Sequence, residues 1–209
     1  MNGKFIVIEG LDGCGKTTQT EILAKRLRDE GKEVFVTREP TDSDAGRLLR
    51  KILGGDVKSD TLEMTVLFSA DRVIHNLSEN GIAERLSRGE TVICDRYYYS
   101  TFAYQGLDGD IDLCMRLNLD CPGIRTPDVC IFLEMDTDKC LERIHKNRSE
   151  DAIEIFENKK NLDGIKARFD EIFDHLPEDE RIIRIDADGT IDEVSDRIYQ
   201  AVCQLWENN

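Results

Sequence analysis

Apolar positions along this chain follow two rhythms. Compact apolar runs fall at residues 5–9, 33–37, 91–96, 129–134 and 181–185, each short enough to be one largely buried strand. Between them, apolar residues return at helical spacing over 16 to about 31, 45–53, 61–89, 97–105, 111–119, 137–145 and 191–206. The long stretch 61–89 is expected to break near Asn80-Gly81. After a polar interruption at 147–151, helical sequence resumes to about 175, with Gly164 its weak point. Strands separated throughout by helices predict βαβ units and a five-stranded parallel sheet covered on both faces, an α/β fold. Ligands of such sheets gather at the carboxyl ends of the strands, where three segments distant in sequence meet: 10–18, 38–40 and 95–96.

Composition narrows the class. The 209 residues are 40% hydrophobic and show no Pro/Gly/Ser-rich linker or charge block, so one domain spanning 1–209 is expected. With 28 basic and 43 acidic residues the net charge is −15, which argues against nonspecific attraction to nucleic acid. A polyanionic substrate must therefore be met by local cations. The N-terminus runs directly into the first strand and no apolar run reaches membrane-spanning length, so the expectation is a cytoplasmic protein with no membrane partner. Seven cysteines, odd in number and without a C-x-x-C pair, suggest neither a disulfide framework nor a zinc site.

The most specific signal is Gly10-Leu11-Asp12-Gly13-Cys14-Gly15-Lys16-Thr17-Thr18, which meets G-x-x-x-x-G-K-[ST] between a predicted strand and a predicted helix. Backbone N–H groups of such a loop converge on phosphate oxygens of a nucleoside triphosphate. Lys16 would reach the β/γ-phosphates and the Thr17 hydroxyl would hold Mg²⁺. Cys14 is either a small filler or a thiol whose pKa the surrounding N–H groups lower.

Further candidates follow along the chain. Asp95 ends a strand and is read either as a second Mg²⁺ ligand or as the structural partner of Arg96. Arg96 suits a phosphate, which a guanidinium grips in bidentate fashion. Arg96, Ser100 and Tyr104 are spaced i, i+4, i+8 and would share one face if that segment is helical. Phe68 and Arg72, four apart, either stack on a base and read a carbonyl edge or are simply core and surface. Asp12 faces a second substrate or a metal-bound water, or else solvent. Arg143, Lys146 and Arg148 either close over transferring phosphates or form a solvated helix face. Asp186-Ala187-Asp188-Gly189 does not have the glycine and glutamate spacing of a calcium loop and reads as a turn, and the acidic turn at 108–110 reads as a solvated loop.

Taken together, F-I-V-I-E-G-L-D-G-C-G-K-T-T, T-R-E-P, L-F-S-A-D-R, D-R-Y-Y-Y-S-T-F-A-Y-Q-G and P-D-V-C-I-F-L-E resemble the thymidylate kinase (dTMP kinase) family, in order and in interval, over nearly the whole chain. The resemblance implies a three-layer P-loop kinase fold with a lid at about 143–157. It also implies transfer of the ATP γ-phosphoryl group to dTMP, giving dTDP and ADP. On that footing Phe68 stacks on thymine and Arg72 bonds its O4, while Arg96 and Arg50 hold the dTMP phosphate. Tyr104 crowds the sugar 2′ position, Gln105 lies near the base, Asp12 meets the 3′-hydroxyl, and Glu39 belongs to the acceptor side. The family is usually homodimeric. Glycine at position 13 goes with a catalytic arginine supplied by the lid, which points to Arg143 and Arg148. The stretch 149–154 departs from many relatives in carrying no arginine just before its acidic residue. The competing expectations are another nucleoside monophosphate kinase, a P-loop hydrolase or regulator, for which no N-K-x-D guanine motif is present, and a silent binding protein on the same fold.

Overall fold

The structure is a computed structural model that describes residues 3–106, 109–147 and 159–207. Its first strand, β1 (Phe5–Gly10), is buried at every position, as a central strand flanked on both sides must be. Phe5, Ile6, Val7 and Ile8 are fully enclosed, each stabilising the fold by about 1.5–3 kcal/mol relative to an exposed side chain. β2 (Val34–Arg38), β3 (Thr91–Asp95), β4 (Val129–Glu134) and β5 (Ile182–Asp186) complete an all-parallel sheet in the order β2-β3-β1-β4-β5. The outer strands β2 and β5 are only partly buried.

Register decides where chemistry collects. Ile8 pairs with Asp95, Arg38 with Asp95 and Gly10 with Leu133, so the carboxyl ends of β1, β2, β3 and β4 finish at one edge. The helices α1 (Lys16–Asp29), α2 (Asp44–Leu53), α3 (Thr61–Leu77), α4 (Ile82–Ser87), α5 (Tyr98–Tyr104), α6 (Ile111–Leu119), α7 (Thr137–Asn147), α8 (Lys159–Phe173) and α9 (Ile191–Glu207) link the strands. No helix among the described residues is long and apolar enough to cross a membrane.

Helix ends show local chemistry. Asp60 and Glu63 form a reciprocal capping box that starts α3, each satisfying a backbone N–H that the helix leaves unpaired. The expected break near Asn80-Gly81 separates α3 from α4, with Asn80 in the left-handed region at φ 58°. Gly164, by contrast, sits inside an unbroken α8: Leu162, Ile165, Phe169 and Ile172 are buried on either side, and their packing outweighs one glycine.

α3 departs most from the usual amphipathic rule. Its inward face carries Ser69, Asp71, Arg72, His75 and Asn76, all buried, whereas Leu62, Val66, Ile74 and Leu77 lie exposed on the outside. A helix so arranged lines a polar site and presents an apolar surface away from it.

Candidate functional site

A cavity of about 850 Å³ opens at the carboxyl edge of the sheet. Asp12, Gly13, Cys14, Gly15, Lys16, Thr17, Thr18, Glu39, Arg50, Phe68, Arg72, Asp95, Arg96, Ser100, Tyr104, Gln105 and Arg143 all line it. Gly10 and Leu11 lie beneath, and their carbonyl oxygens accept from Lys16 Nζ at 3.0 and 2.8 Å. Arg148 and most of the expected lid at 143–157 lie outside the described residues.

The loop from Gly10 to Gly15 turns sharply before α1: Gly13 has φ 82° and Gly15 φ 106°, both left-handed. At Gly13 a second constraint applies, since an added Cβ would stand 2.3 Å from the carbonyl oxygen of Cys140 in α7. The first turn of α7 therefore closes directly on the loop. Arg143, one turn further along α7, donates from Nη1 to the Cys14 carbonyl oxygen at 3.4 Å, which sets its guanidinium over the phosphate cradle. Cys14 itself is buried, and burial raises its thiol pKa despite the nearby Lys16 and Arg96 charges, which favours the small filler over the lowered-pKa thiol.

Thr17 Oγ1 donates to Asp95 Oδ2 at 2.7 Å. Asp95 thus faces the loop rather than pairing with Arg96. Among the described residues no cluster of three His, Cys, Asp or Glu side chains could hold a metal. Mg²⁺ needs no such cage, because one or two protein oxygens together with substrate phosphates suffice, and a hydroxyl beside a carboxylate fits that requirement.

Arg96 departs from expectation in an instructive way. It is not on the helix whose spacing linked it to Ser100 and Tyr104; α5 begins at Tyr98, and Arg96 lies before it in the left-handed region at φ 70°. The three side chains still converge, because that turn swings Arg96 back over α5. Its Nη1 donates to Ser100 Oγ at 2.9 Å, and its Nη2 contacts Tyr104 Oη at 3.4 Å and pairs with Asp12. Asp12 is thereby enclosed rather than solvent-facing, with Tyr104 donating to its other oxygen at 2.9 Å and Lys16 Nζ at 3.8 Å. Burial alone would raise the Asp12 pKa, but Arg96 and Lys16 together hold it well below the usual carboxylate range.

The strained turn is braced from below by Glu9. Fully buried, it accepts from the Tyr97 N–H at 2.8 Å, the Ser100 N–H at 3.1 Å and Ser100 Oγ at 2.7 Å, at the N-terminus of α5. Burial pushes its carboxyl pKa up, opposed by Arg96 and these hydrogen bonds.

At the far end of the cavity Phe68 is half-buried and Arg72 almost wholly enclosed. Arg72 Nε donates to Glu39 Oε2 at 2.8 Å, Nη2 lies 2.6 Å from the same oxygen and 3.2 Å from Thr101 Oγ1, and Nη1 donates to Asn118. Glu39 Oε1 meets His75 Nδ1 at 3.0 Å, and His75 Nε2 meets Thr37 Oγ1 at 2.7 Å. Both oxygens of Glu39 are thus engaged within the protein, one by Arg72 and the other by His75, while Glu39 itself lines the cavity. Arg50 reaches back from α2 to the Pro40 carbonyl oxygen at 2.6 Å and to Asp42.

Two parts of the site escaped sequence reasoning. One is the segment read as a plain turn after the fifth strand: Ala187, Gly189, Thr190 and Ile191 line the cavity beside Gln19 and Val194. The rule that ligands gather at strand carboxyl ends applies to β5 as well and would have found it. The other is the buried set of Thr101 and Asn118 around Arg72, which no local spacing reveals.

A glycine loop with Lys16 and Thr17, an acidic strand end beside it, and a second compartment lined by an aromatic side chain and arginines define a P-loop nucleotide phosphotransferase. The thymidylate kinase family model matches residues 8–198. A probable thymidylate kinase of Pyrococcus horikoshii is 42% identical over 150 residues, covering 69% of this chain and 71% of that protein. The thymidylate kinase of Halothermothrix orenii is 34% identical over 206 residues, covering 97% of each. The solved structure of thymidylate kinase from Candida albicans superposes with a TM-score of 0.78 at 25% identity, covering 97% of this chain and 92% of that one. The chain belongs to the thymidylate kinase family. It is accordingly a kinase that transfers a phosphoryl group from ATP to dTMP.

Proposed function

We propose that the cavity is a two-substrate site in which residues 10–18 cradle the ATP phosphates and Phe68, Arg72, Arg96, Ser100, Tyr104, Gln105 and Arg50 receive dTMP. The carrying observation is the position of Arg96, anchored to Asp12 of the loop on one side and to Ser100 and Tyr104 of α5 on the other. A cation at that point separates the triphosphate loop from the Phe68–Arg72 end, where two polyanions must be brought together.

Transfer is in line from donor to acceptor phosphate. The acceptor is already anionic, so no strong base is needed, and catalysis rests on positioning and on neutralising charge. Lys16 exchanges its carbonyl partners for donor phosphate oxygens, Arg96 grips the acceptor phosphate, and Arg143, with Arg148 as the second lid candidate, approaches the transferring group. Mg²⁺ held by Thr17 and Asp95 would neutralise phosphate charge. Asp12 orients Arg96 and offers an acceptor to the sugar 3′-hydroxyl, and Tyr104 crowds the 2′ position.

We further read the chain as one domain with a lid at about 143–157, cytoplasmic, and homodimeric. Support for the dimer is the exposed apolar outer face of α3, where Leu62 and Val66 join Leu48 and Val57 around a groove beside α2.

An acceptor panel with Mg·ATP tests the assignment: dTMP, dUMP, UMP, CMP, AMP, and water alone. The expected result is turnover with dTMP far above the rest, abolished by Lys16→Ala. If dTMP were no better than AMP or UMP the base compartment would be misassigned, and steady ATP hydrolysis without acceptor would mark a hydrolase.

A further inference from the structure

Asn118 lies on α6, far in sequence from every motif of the site, yet it is fully buried and its Oδ1 accepts from Arg72 Nη1. We propose that Asn118 is a positioning residue that fixes Arg72, a donor-only guanidinium, as the reader of a base carbonyl, and so sharpens the preference for a 4-keto over a 4-amino pyrimidine. This rests on the reading of Arg72 as the residue that meets the acceptor base.

The amide cannot turn round. Asn118 Nδ2 donates to the Cys114 carbonyl oxygen at 2.7 Å and lies 3.4 Å from Ser69 Oγ. Ser69 Oγ in turn donates to the Thr65 carbonyl oxygen at 3.0 Å, so toward Asn118 the hydroxyl oxygen can only accept. A flipped amide would set its NH₂ against a guanidinium and its oxygen against a carbonyl, two repulsive contacts in a buried place. Oδ1 must therefore face Arg72.

The consequence falls on the five N–H groups of the guanidinium. Glu39 takes Nε–H and lies 2.6 Å from Nη2, Thr101 takes an Nη2 hydrogen, and Asn118 takes one hydrogen of Nη1. Among the described residues no other group bonds Nη1, which leaves its second hydrogen for a ligand. With the Tyr97 ring 5.0 Å below it, the guanidinium is held from several elements and cannot rotate away from a mismatched group. A C4 carbonyl accepts from that N–H. A C4 amino group would meet donor with donor, and a rigid partner cannot relieve the clash.

The test compares wild type with Asn118→Ala and Asn118→Asp, measuring KM and kcat for dTMP, dCMP and ATP. Asn118→Ala is expected to raise KM for dTMP by about threefold to tenfold, because a freed Arg72 side chain must be ordered again on binding, with KM for ATP unchanged. The dTMP-to-dCMP ratio of kcat/KM should fall by about the same factor. Asn118→Asp keeps an oxygen opposite Arg72 but sets its second oxygen against the Cys114 carbonyl oxygen, so it too should raise KM for dTMP and lower the dTMP-to-dCMP ratio. Thermal melting and the ATP constants monitor folding; if Asn118→Ala does not fold, Asn118→Asp and Ser69→Ala, which loosens the amide without removing it, are read in the same way. Unchanged discrimination in every folded variant, or equal weakening of dTMP and ATP, would overturn the proposal. A wild type that does not prefer dTMP over dCMP would instead remove the underlying reading of Arg72.

Discussion

Arg96 Nη2 pairs with Asp12 Oδ1 while Tyr104 donates to Asp12 Oδ2 at 2.9 Å, so a strand-end turn, the phosphate loop and α5 are tied together at one carboxylate. Asp12 ionises more readily in the folded chain than unfolded. Its contribution to stability is therefore full above the unfolded value of about 3.9 and is lost as pH falls towards the depressed folded value. Asp12→Asn should melt at lower temperature than wild type at pH 7, with the gap constant down to about pH 4 and shrinking below it. Melting curves across pH 2–8 check this; a gap that widened on acidification would contradict the pairing.

Phe68 is the half-buried aromatic at the acceptor end of the cavity. Base–aromatic stacking is worth about 1–3 kcal/mol, so Phe68→Ala should weaken dTMP binding roughly tenfold or more and leave ATP binding nearly intact. Calorimetric titration with each nucleotide separates the two. Equal weakening would remove Phe68 from the acceptor site.

The lid arginine can be sought by kinetics. Arg143 already reaches the Cys14 carbonyl oxygen, so Arg143→Ala should lower kcat by two orders of magnitude or more with little change in KM, as about 10³-fold losses mark a transition-state arginine. Should Arg148→Ala carry that loss instead, the role passes to Arg148. Supplying the charge from the loop by Gly13→Arg should fail: the position needs positive φ and has no room for a Cβ against Cys140. A loss of about 1–3 kcal/mol from strain alone is expected as a lowered Tm.

The thiols give a test independent of activity. Cys121 and Cys203 are partly exposed, whereas Cys14, Cys94, Cys114, Cys130 and Cys140 are buried, and burial pushes the Cys140 pKa up to about 12. Native protein at pH 8 should therefore react rapidly with a thiol reagent at Cys121 and Cys203 and at the remainder only on unfolding. Rapid labelling of Cys14, read by peptide mass, would show the phosphate loop to be far more open.

Local sequence carried the phosphate loop, the alternation of strands and helices and the parallel sheet, because each depends on short-range rules: glycine where φ must be positive, apolar runs for central strands, helical spacing between them. It also carried the i, i+4, i+8 relation of Arg96, Ser100 and Tyr104, though for the wrong reason, since Arg96 reaches the others from a left-handed turn outside the helix. What needed the tertiary structure was the partner of each buried charge. Arg72 is set by Glu39, Thr101 and Asn118, from segments 29 to 46 residues away, and Arg96 by Asp12, 84 residues away. A charge out of water must find a counter-charge or hydrogen bonds wherever the fold brings them, and sheet register, not sequence spacing, decides which carboxylate or amide that is.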